Sequence, residues 1–280
     1  MKYGVSINDF AYLADEILQK IHVDADLGDE WCKSLPREQQ DMYAQCLMDI
    51  VPYVWLRFDK GWTEKKVKED GSHATDMDLD IEGYLTEYFL NGFNVDNWRN
   101  VDIVSEETGL THSESDRYIC IDPVDGTHNM ENWQKNTFPM FFASIAFVEN
   151  GKTIFSLLIN PESVYFVCKS HGFLKFDREL KFSQDHPVER DTCPLIGLTG
   201  VDLFKDMAFV EANAHNIRIS YCTVLDIFNC AFKTYMMAVC YGCKEWDWRG
   251  AVLLAEELGC KVEIKKISDT YYEYDIRNEF

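Results

Sequence analysis

Residues 119–129 read Ile-Cys-Ile-Asp122-Pro-Val-Asp125-Gly-Thr-His-Asn. An apolar run delivers Asp122, and Pro123 and Gly126 then bend the chain so that two carboxylates leave the bend three residues apart. Gly126 leaves room for a phosphate to approach backbone N–H groups, and a helix starting near Thr127 would add the favourable end of its dipole. An acidic turn without a ligand has the same composition, so this stretch needs company. Glu106-Glu107 follow another apolar run, Trp246-Asp247 precede a long apolar segment, and Lys68-Glu-Asp70-Gly-Ser72-His-Ala-Thr75-Asp-Met-Asp78 carries further carboxylates. Oxygen donors of this kind suit a hard divalent cation such as Mg²⁺, which takes a few carboxylates, waters and substrate phosphate.

Elements must bring these stretches together. Ser6 can cap a helix with Phe10, Leu13, Ile17 and Ile21 on one side, and the spacing of Tyr43, Leu47 and Val51 predicts a second helix over Arg37 to Phe58. The polar segment 22–36 between them is expected to be a connecting loop, an insert that is a lid, a dimer contact or without function. Ile81, Leu85, Tyr88 and Phe89 give a third helical stripe. Val101 to Val104 and Arg117 to Ile121 read as strands that end at acidic residues, where loops converge on a ligand in α/β proteins. Met140 to Val148, Ile154 to Ile159 and Val164 to Val167 read as an antiparallel meander with turns at Glu149–Lys152 and Asn160–Ser163. Val224 to Cys240 and Trp246 to Leu258 are expected as two helices, the second stopped by Gly259, with Lys261 to Lys265 as the last strand.

Composition excludes several classes. A formal net charge of −21 opposes broad attraction to nucleic acid or anionic lipid, whereas cations held among acidic side chains would reverse the local field for a small phosphorylated metabolite. The first residues lack the uninterrupted apolar stretch of an export signal, and the best apolar run, Phe138 to Val148, is broken by Glu149 before it could cross a bilayer. A cytoplasmic protein is expected, with its ten cysteines reduced. Cys240 and Cys243 form one isolated CxxC without a second ligand pair.

Taken together, the paired glutamates, the Asp122-Pro-Val-Asp125-Gly-Thr127 turn, Trp246-Asp247 before an Ala/Gly-bearing helix and the Lys68–Asp78 segment resemble the inositol monophosphatase family over roughly residues 65 to 260. The resemblance implies an α/β (α+β) fold, a layered αβαβα sandwich of the inositol monophosphatase and fructose-1,6-bisphosphatase type. In that scheme, residues 1–150 form an α+β half with most metal ligands, and 151–280 an α/β half completing the site of one compact unit. It implies two or three Mg²⁺ ions: Glu106, Asp122 and the Val124 carbonyl for one, Asp122, Asp125 and Asp247 for a second, and Glu107 for a third or as support. Thr127, hydrogen-bonded to Asp78, would orient and deprotonate the attacking water with Glu106, and the Gly126 and Thr127 amides would hold phosphate oxygens. Either Asp76 or Asp78 can match the family's aspartate, and Asp78 keeps the spacing from Thr75.

The implied substrate pocket is Arg218, Tyr221, Cys222, Thr223 and Cys240. Here the sequence departs from the family. Tyr221 stands where a glycine is usual, and Cys240 falls, counting back from Trp246-Asp247, where inositol-handling members carry a glutamate. That puts inositol itself in doubt beside nucleotide 3′(2′),5′-bisphosphates, fructose 1,6-bisphosphate and histidinol phosphate. A haloacid-dehalogenase loop would need an aspartate at Pro123. A catalytically silent binding member would have no chemical need for the full acidic set. A homodimer fits the family's habit.

Overall fold

The computed structural model describes residues 25–68, 71–110, 112–134, 137–178, 182–184, 195–200 and 205–278. The chain starts with helices α1 (Ala25–Ser34), α2 (Arg37–Gln45) and α3 (Val51–Lys60), the last two joined by a π-turn at Cys46–Ile50. Pro52 explains that turn: its ring nitrogen cannot donate, so the single helix expected over Arg37–Phe58 widens where the ladder would break. The loop expected at 22–36 is corrected to a helix over Ala25–Ser34. Its polar composition hides one anchor, Trp31, which is buried against Tyr43 and donates its indole N–H to the His171 carbonyl at 2.9 Å. The helix expected after Ser6 lies outside the described residues.

A short hairpin of β1 (Lys65–Val67) and β2 (His73–Thr75) leads into α4 (Asp76–Asn91), whose Ile81, Leu85 and Phe89 are buried as the stripe requires. Next comes a seven-stranded sheet in simple sequential order. Its members are β3 (Asp102–Ser105), β4 (Arg117–Asp125), β5 (Phe142–Glu149), β6 (Lys152–Ile159), β7 (Ser163–Cys168), β8 (Gly172–Asp177) and β9 (Phe182–Ser183). Only β3 and β4 are parallel; the rest is the expected meander, extended by two strands. Position 150 falls in the tight turn between β5 and β6, and the sheet runs straight through it.

The second sheet has five strands in the order β11-β10-β12-β14-β13, from β10 (Ile196–Thr199), β11 (Ile217–Arg218), β12 (Met237–Cys243), β13 (Lys261–Lys266) and β14 (Tyr272–Arg277). The helix expected over Val224–Cys240 is corrected to α7 (Thr223–Ala231) followed by β12. A continuous apolar run fits either element, and the left-handed Lys233 marks the break. Lys261–Lys266 is not the last strand, since β14 follows and pairs on both sides. Helix α8 (Glu245–Glu257) ends at Gly259, φ +79°, as its sequence predicts.

Three packed interfaces give the αβαβα layering. α2, α3 and α4 cover one face of the large sheet, with Phe147, Phe155 and Phe166 in that core. α7 and α8 fill the space between the sheets, meeting Phe142, Leu158 and Tyr165 on one side and Ala238, Tyr274 and Ile276 on the other. The outer face of the small sheet packs Leu198 and Val239 against Phe209 and Val210 of α6 (Met207–Asn213). Among the described residues, no helix is long and apolar enough to cross a membrane.

Candidate active site

Asp122 and Asp125 sit three residues apart on β4, a spacing that points side chains to opposite faces of a regular strand. Here the register with β5 slips by one residue, Asp122 opposing Ser144 and Asp125 opposing Phe142. Pro123 cannot donate to the ladder, so the extra residue bulges and both carboxylates reach the same pocket. Asp122 turns back to accept the Val124 N–H at 3.1 Å. Gly126 follows at φ +88°, where a side chain would meet Cys222 Cβ and the Met140 carbonyl at 3.0 Å. Glycine is required on both counts. The short helix α5 (Thr127–Glu131) then begins at Thr127.

Asp78 is the residue that meets Thr127. It closes the capping box of α4 with Thr75, accepting the Thr75 N–H at 2.8 Å and the Thr75 hydroxyl, and its other oxygen lies 3.0 Å from Thr127 Oγ1. Thr127 Oγ1 is also 3.0 Å from the Val124 carbonyl. Asp76, two residues earlier, instead accepts from Thr63 and Glu64 amides and pairs with the buried Arg57 at 3.2 Å. Asp247 lies on the first turn of α8 and accepts the Lys244 N–H at 2.7 Å, which fixes the carboxylate at the helix start.

Glu106 and Glu107 follow β3, and Lys68 bridges them at 2.7 and 2.8 Å. Their loop is held by a residue that sequence reading missed. Glu82, wholly buried on α4, accepts the Glu107 N–H at 2.8 Å and both the amide and hydroxyl of Thr108. Its signal was available: Glu82 stands four residues after Asp78, on the same helix face.

Glu106, Asp122, Asp125, Thr127 and Asp247 line one pocket of about 510 Å³. Asp122 and Asp125 are buried, while Glu106 and Asp247 are partly exposed into the pocket. No described lysine or arginine forms an ion pair with Asp122, Asp125 or Asp247. Burial, then the charges of Glu106, Asp125 and Asp247, push the Asp122 carboxyl far above its usual range. Burial raises Asp125 to about 7 although it accepts from the Val224 amide, the Cys222 thiol and the Thr223 amide. Burial and then Glu106 raise Glu107 to about 7, and burial, Asp125 and Glu106 raise Asp247. Burial also lifts Glu106 against the pull of Lys68, and lifts Asp78 against its Thr75 and Thr127 bonds. Such a crowded group of oxygens, offset only in part by Lys68 and Lys244, fits a divalent cation, which would relieve both the burial and the repulsion.

The expected substrate residues divide. Tyr221 and Thr223 line the pocket, and the left-handed backbone of Tyr221, φ +56°, explains why glycine is usual there. Cys222 caps α7 and places its thiol 3.2 Å from Asp125 Oδ2, behind the pocket wall. Cys240 and Arg218 are corrections. β12 turns Cys240 into the core between the sheets, and where its register shifts between Tyr241 and Cys243, Gly242 and Cys243 line the pocket instead. Arg218 lies exposed on the edge strand β11, bonded to the carbonyl of Ile217 at 2.8 Å. Trp246 is a packing residue among Val104, Tyr118 and Val148. His73 and His128 also line the pocket. Asn129 ties the site across the layers, its one amide donating to Met140 O at 2.8 Å and Ser220 O at 2.7 Å.

A profile of the inositol monophosphatase family matches residues 44–272. The chain belongs to that family. Among solved structures, the Thermotoga maritima IMPase superposes with a TM-score of 0.65 at 19% identity, covering 82% of this chain and 89% of that one. An IMPase/NADP phosphatase complexed with Mg²⁺ and phosphate gives 0.62 at 18% identity, covering 81% and 85%. In sequence, quinic acid degradation cluster protein x of Neurospora crassa is 24% identical over 244 residues, 72% of this chain and 68% of that protein. Inositol monophosphatase membership supports a phosphatase acting on small phosphorylated compounds, in a family that is metal-dependent.

Proposed function

We propose that the protein hydrolyses a small phosphomonoester with Mg²⁺ held by the carboxylate cluster. One observation carries the reading: four acidic side chains from three separate stretches line one pocket, and three of them have no described cationic partner. Glu106, Asp122 and the Val124 carbonyl would hold one ion and Asp122, Asp125 and Asp247 a second, with Glu107 serving a third or supporting Glu106. Bound there, such ions lower the pKa of a water, offset charge on the transferring phosphoryl group and stabilise the departing alkoxide.

The protein's own part is positioning and proton handling. Thr127, held within 3.0 Å of Asp78, orients the attacking water and passes its proton toward Asp78, with Glu106 as the neighbouring acceptor. The amides of Gly126 and Thr127 donate to phosphate oxygens. Asp78 does double duty, since the carboxylate that starts α4 also fixes the threonine hydroxyl.

Tyr221 favours a second reading of the substrate. An aromatic face that is 63% exposed, on a pocket whose family glutamate position holds a buried cysteine, suits a nucleobase better than a polyol. Phosphate release should therefore be measured in Mg²⁺ across inositol monophosphates, sugar phosphates and nucleotide bisphosphates, with Asp125→Asn as control. Release from at least one class, abolished in the control, is expected. No release above the control from any class sinks the proposal.

A further inference from the structure

His73, His128 and Glu131 come from two elements and meet beside the phosphate turn. The ligand atoms of the three all lie within 4.8 Å of one another. His73 on β2 brings Nδ1 to 2.7 Å from Glu131 Oε1, and the His73 and His128 ring centres are 5.3 Å apart. Nothing in the phosphatase reading uses any of them.

We propose that His73, His128 and Glu131 form a separate binding site for an imidazole-preferring divalent cation of the Zn²⁺ type. The donor set decides the class of ion. Two imidazoles and one carboxylate suit Zn²⁺ and its first-row neighbours, whereas Mg²⁺ prefers oxygen alone. The geometry needs small adjustments: two ligands on a tetrahedral Zn²⁺ stand about 3.3 Å apart for bonds of about 2.0 Å, so the 2.7 Å contact opens slightly and the wider ones close. His128 is exposed, and any proton between His73 Nδ1 and Glu131 Oε1 is released as the ion binds.

The surroundings are built for this role. Lys65 holds Glu131 through its other oxygen, Oε2, at 3.1 Å, which orients the carboxylate and leaves Oε1 to the ion. Partial burial opposes ionisation of Glu131, but the bonds and charges of Lys65 and His73 outweigh it and hold the carboxyl below its usual range. His73 and His128 both line the pocket, so open coordination positions face the space a substrate would enter. Because Glu131 and His128 share α5 with Thr127, an ion there also stiffens the turn that carries Thr127.

The site stands independently of the phosphatase reading, and its test does not measure turnover. Zn²⁺ is titrated into the full chain in a large excess of Mg²⁺, by calorimetry, with Co²⁺ substitution read as a visible absorption spectrum. The expected result is one equivalent that persists in Asp125→Asn and weakens about 10- to 100-fold or more in His128→Ala and in His73→Ala. His128 is exposed, so its variant keeps the fold; circular dichroism checks the His73 variant. Equal Zn²⁺ affinity in wild type and His128→Ala overturns the proposal. So does an absence of Zn²⁺ binding under Mg²⁺, or a Zn²⁺ equivalent that vanishes with Asp125→Asn alone.

Discussion

The two walls of the pocket are made differently. The carboxylate wall comes from the loop after β3, a bulged strand and the first turn of α8, backed by the first turn of α4, and hydrogen bonds that Asp78 and Asp247 accept lock the two helix starts. The opposite lip, with Tyr221, His128 and His73, rests on a two-residue strand edge, a five-residue helix and a short hairpin. In the proposed function, the chemistry that must be held within fractions of an ångström belongs to the first wall, and Tyr221 on the second bears on the choice of substrate.

The largest effect expected is on the first wall. Asp122→Asn keeps the volume and the Val124 contact but removes the charge shared by both proposed ion sites, so Mg²⁺-dependent turnover should fall about 1000-fold, near 4 kcal/mol of barrier. Full turnover in a folded Asp122→Asn protein would mean that the wall is scaffolding only. Next comes the contrast between neighbours on α4. Asp78→Asn should lower kcat about 100-fold, whereas Asp76→Asn should leave kcat in place and lower stability by about 1–3 kcal/mol, because the buried Arg57 loses a partner. Steady-state kinetics with a urea melt of each protein separates the two.

The third contrast is in pH. Unfolded carboxyls ionise near pH 4, but in the metal-free fold Asp125 is pushed up to about 7 and Asp226 to about 8, by burial first in both. The folded state therefore binds more protons between pH 4 and 8, and its stability falls as pH rises through that window, by about 1.4 kcal/mol per unit for each such group. The Tm of metal-free protein should drop from pH 5 to pH 8, Mg²⁺ should recover much of it, and Asp226→Asn should flatten the slope. A Tm that rises with pH in the absence of metal would contradict the burial of these carboxylates. The smallest effect belongs to the lip. Tyr221→Gly relieves a left-handed backbone worth about 1 kcal/mol and loosens the unfolded chain by a similar amount, so the Tm should hold. What should move is KM, upward for nucleotide substrates and little for sugar phosphates.

The same division explains what sequence could tell. Asp122, Asp125, Thr127 and Asp247 were legible because strand ends, a glycine turn and a helix start each leave a short local pattern. Asp78 needed the capping geometry with Thr75 to separate it from Asp76. Glu82 was not found, because its role depends on contacts with residues 25 and 26 positions away. Cys240 was misplaced for a different reason: counting from Trp246 locates a residue along β12 but says nothing of which face it takes. The meander was readable from alternating turns, whereas Val224–Cys240 was not, since an apolar run long enough for a helix also serves a helix and a strand.

The side-chain amide of Asn129 holds the Met140 and Ser220 carbonyls with its two hydrogens. Together with the Cys222, Thr223 and Val224 donors on Asp125, these bonds tie the Tyr221 segment to the turn at Gly126, much as rivets join two plates. If the proposed function holds, substitutions along the rim at Tyr221 should leave the spacing over Gly126 unchanged, because that spacing is set from beneath the rim.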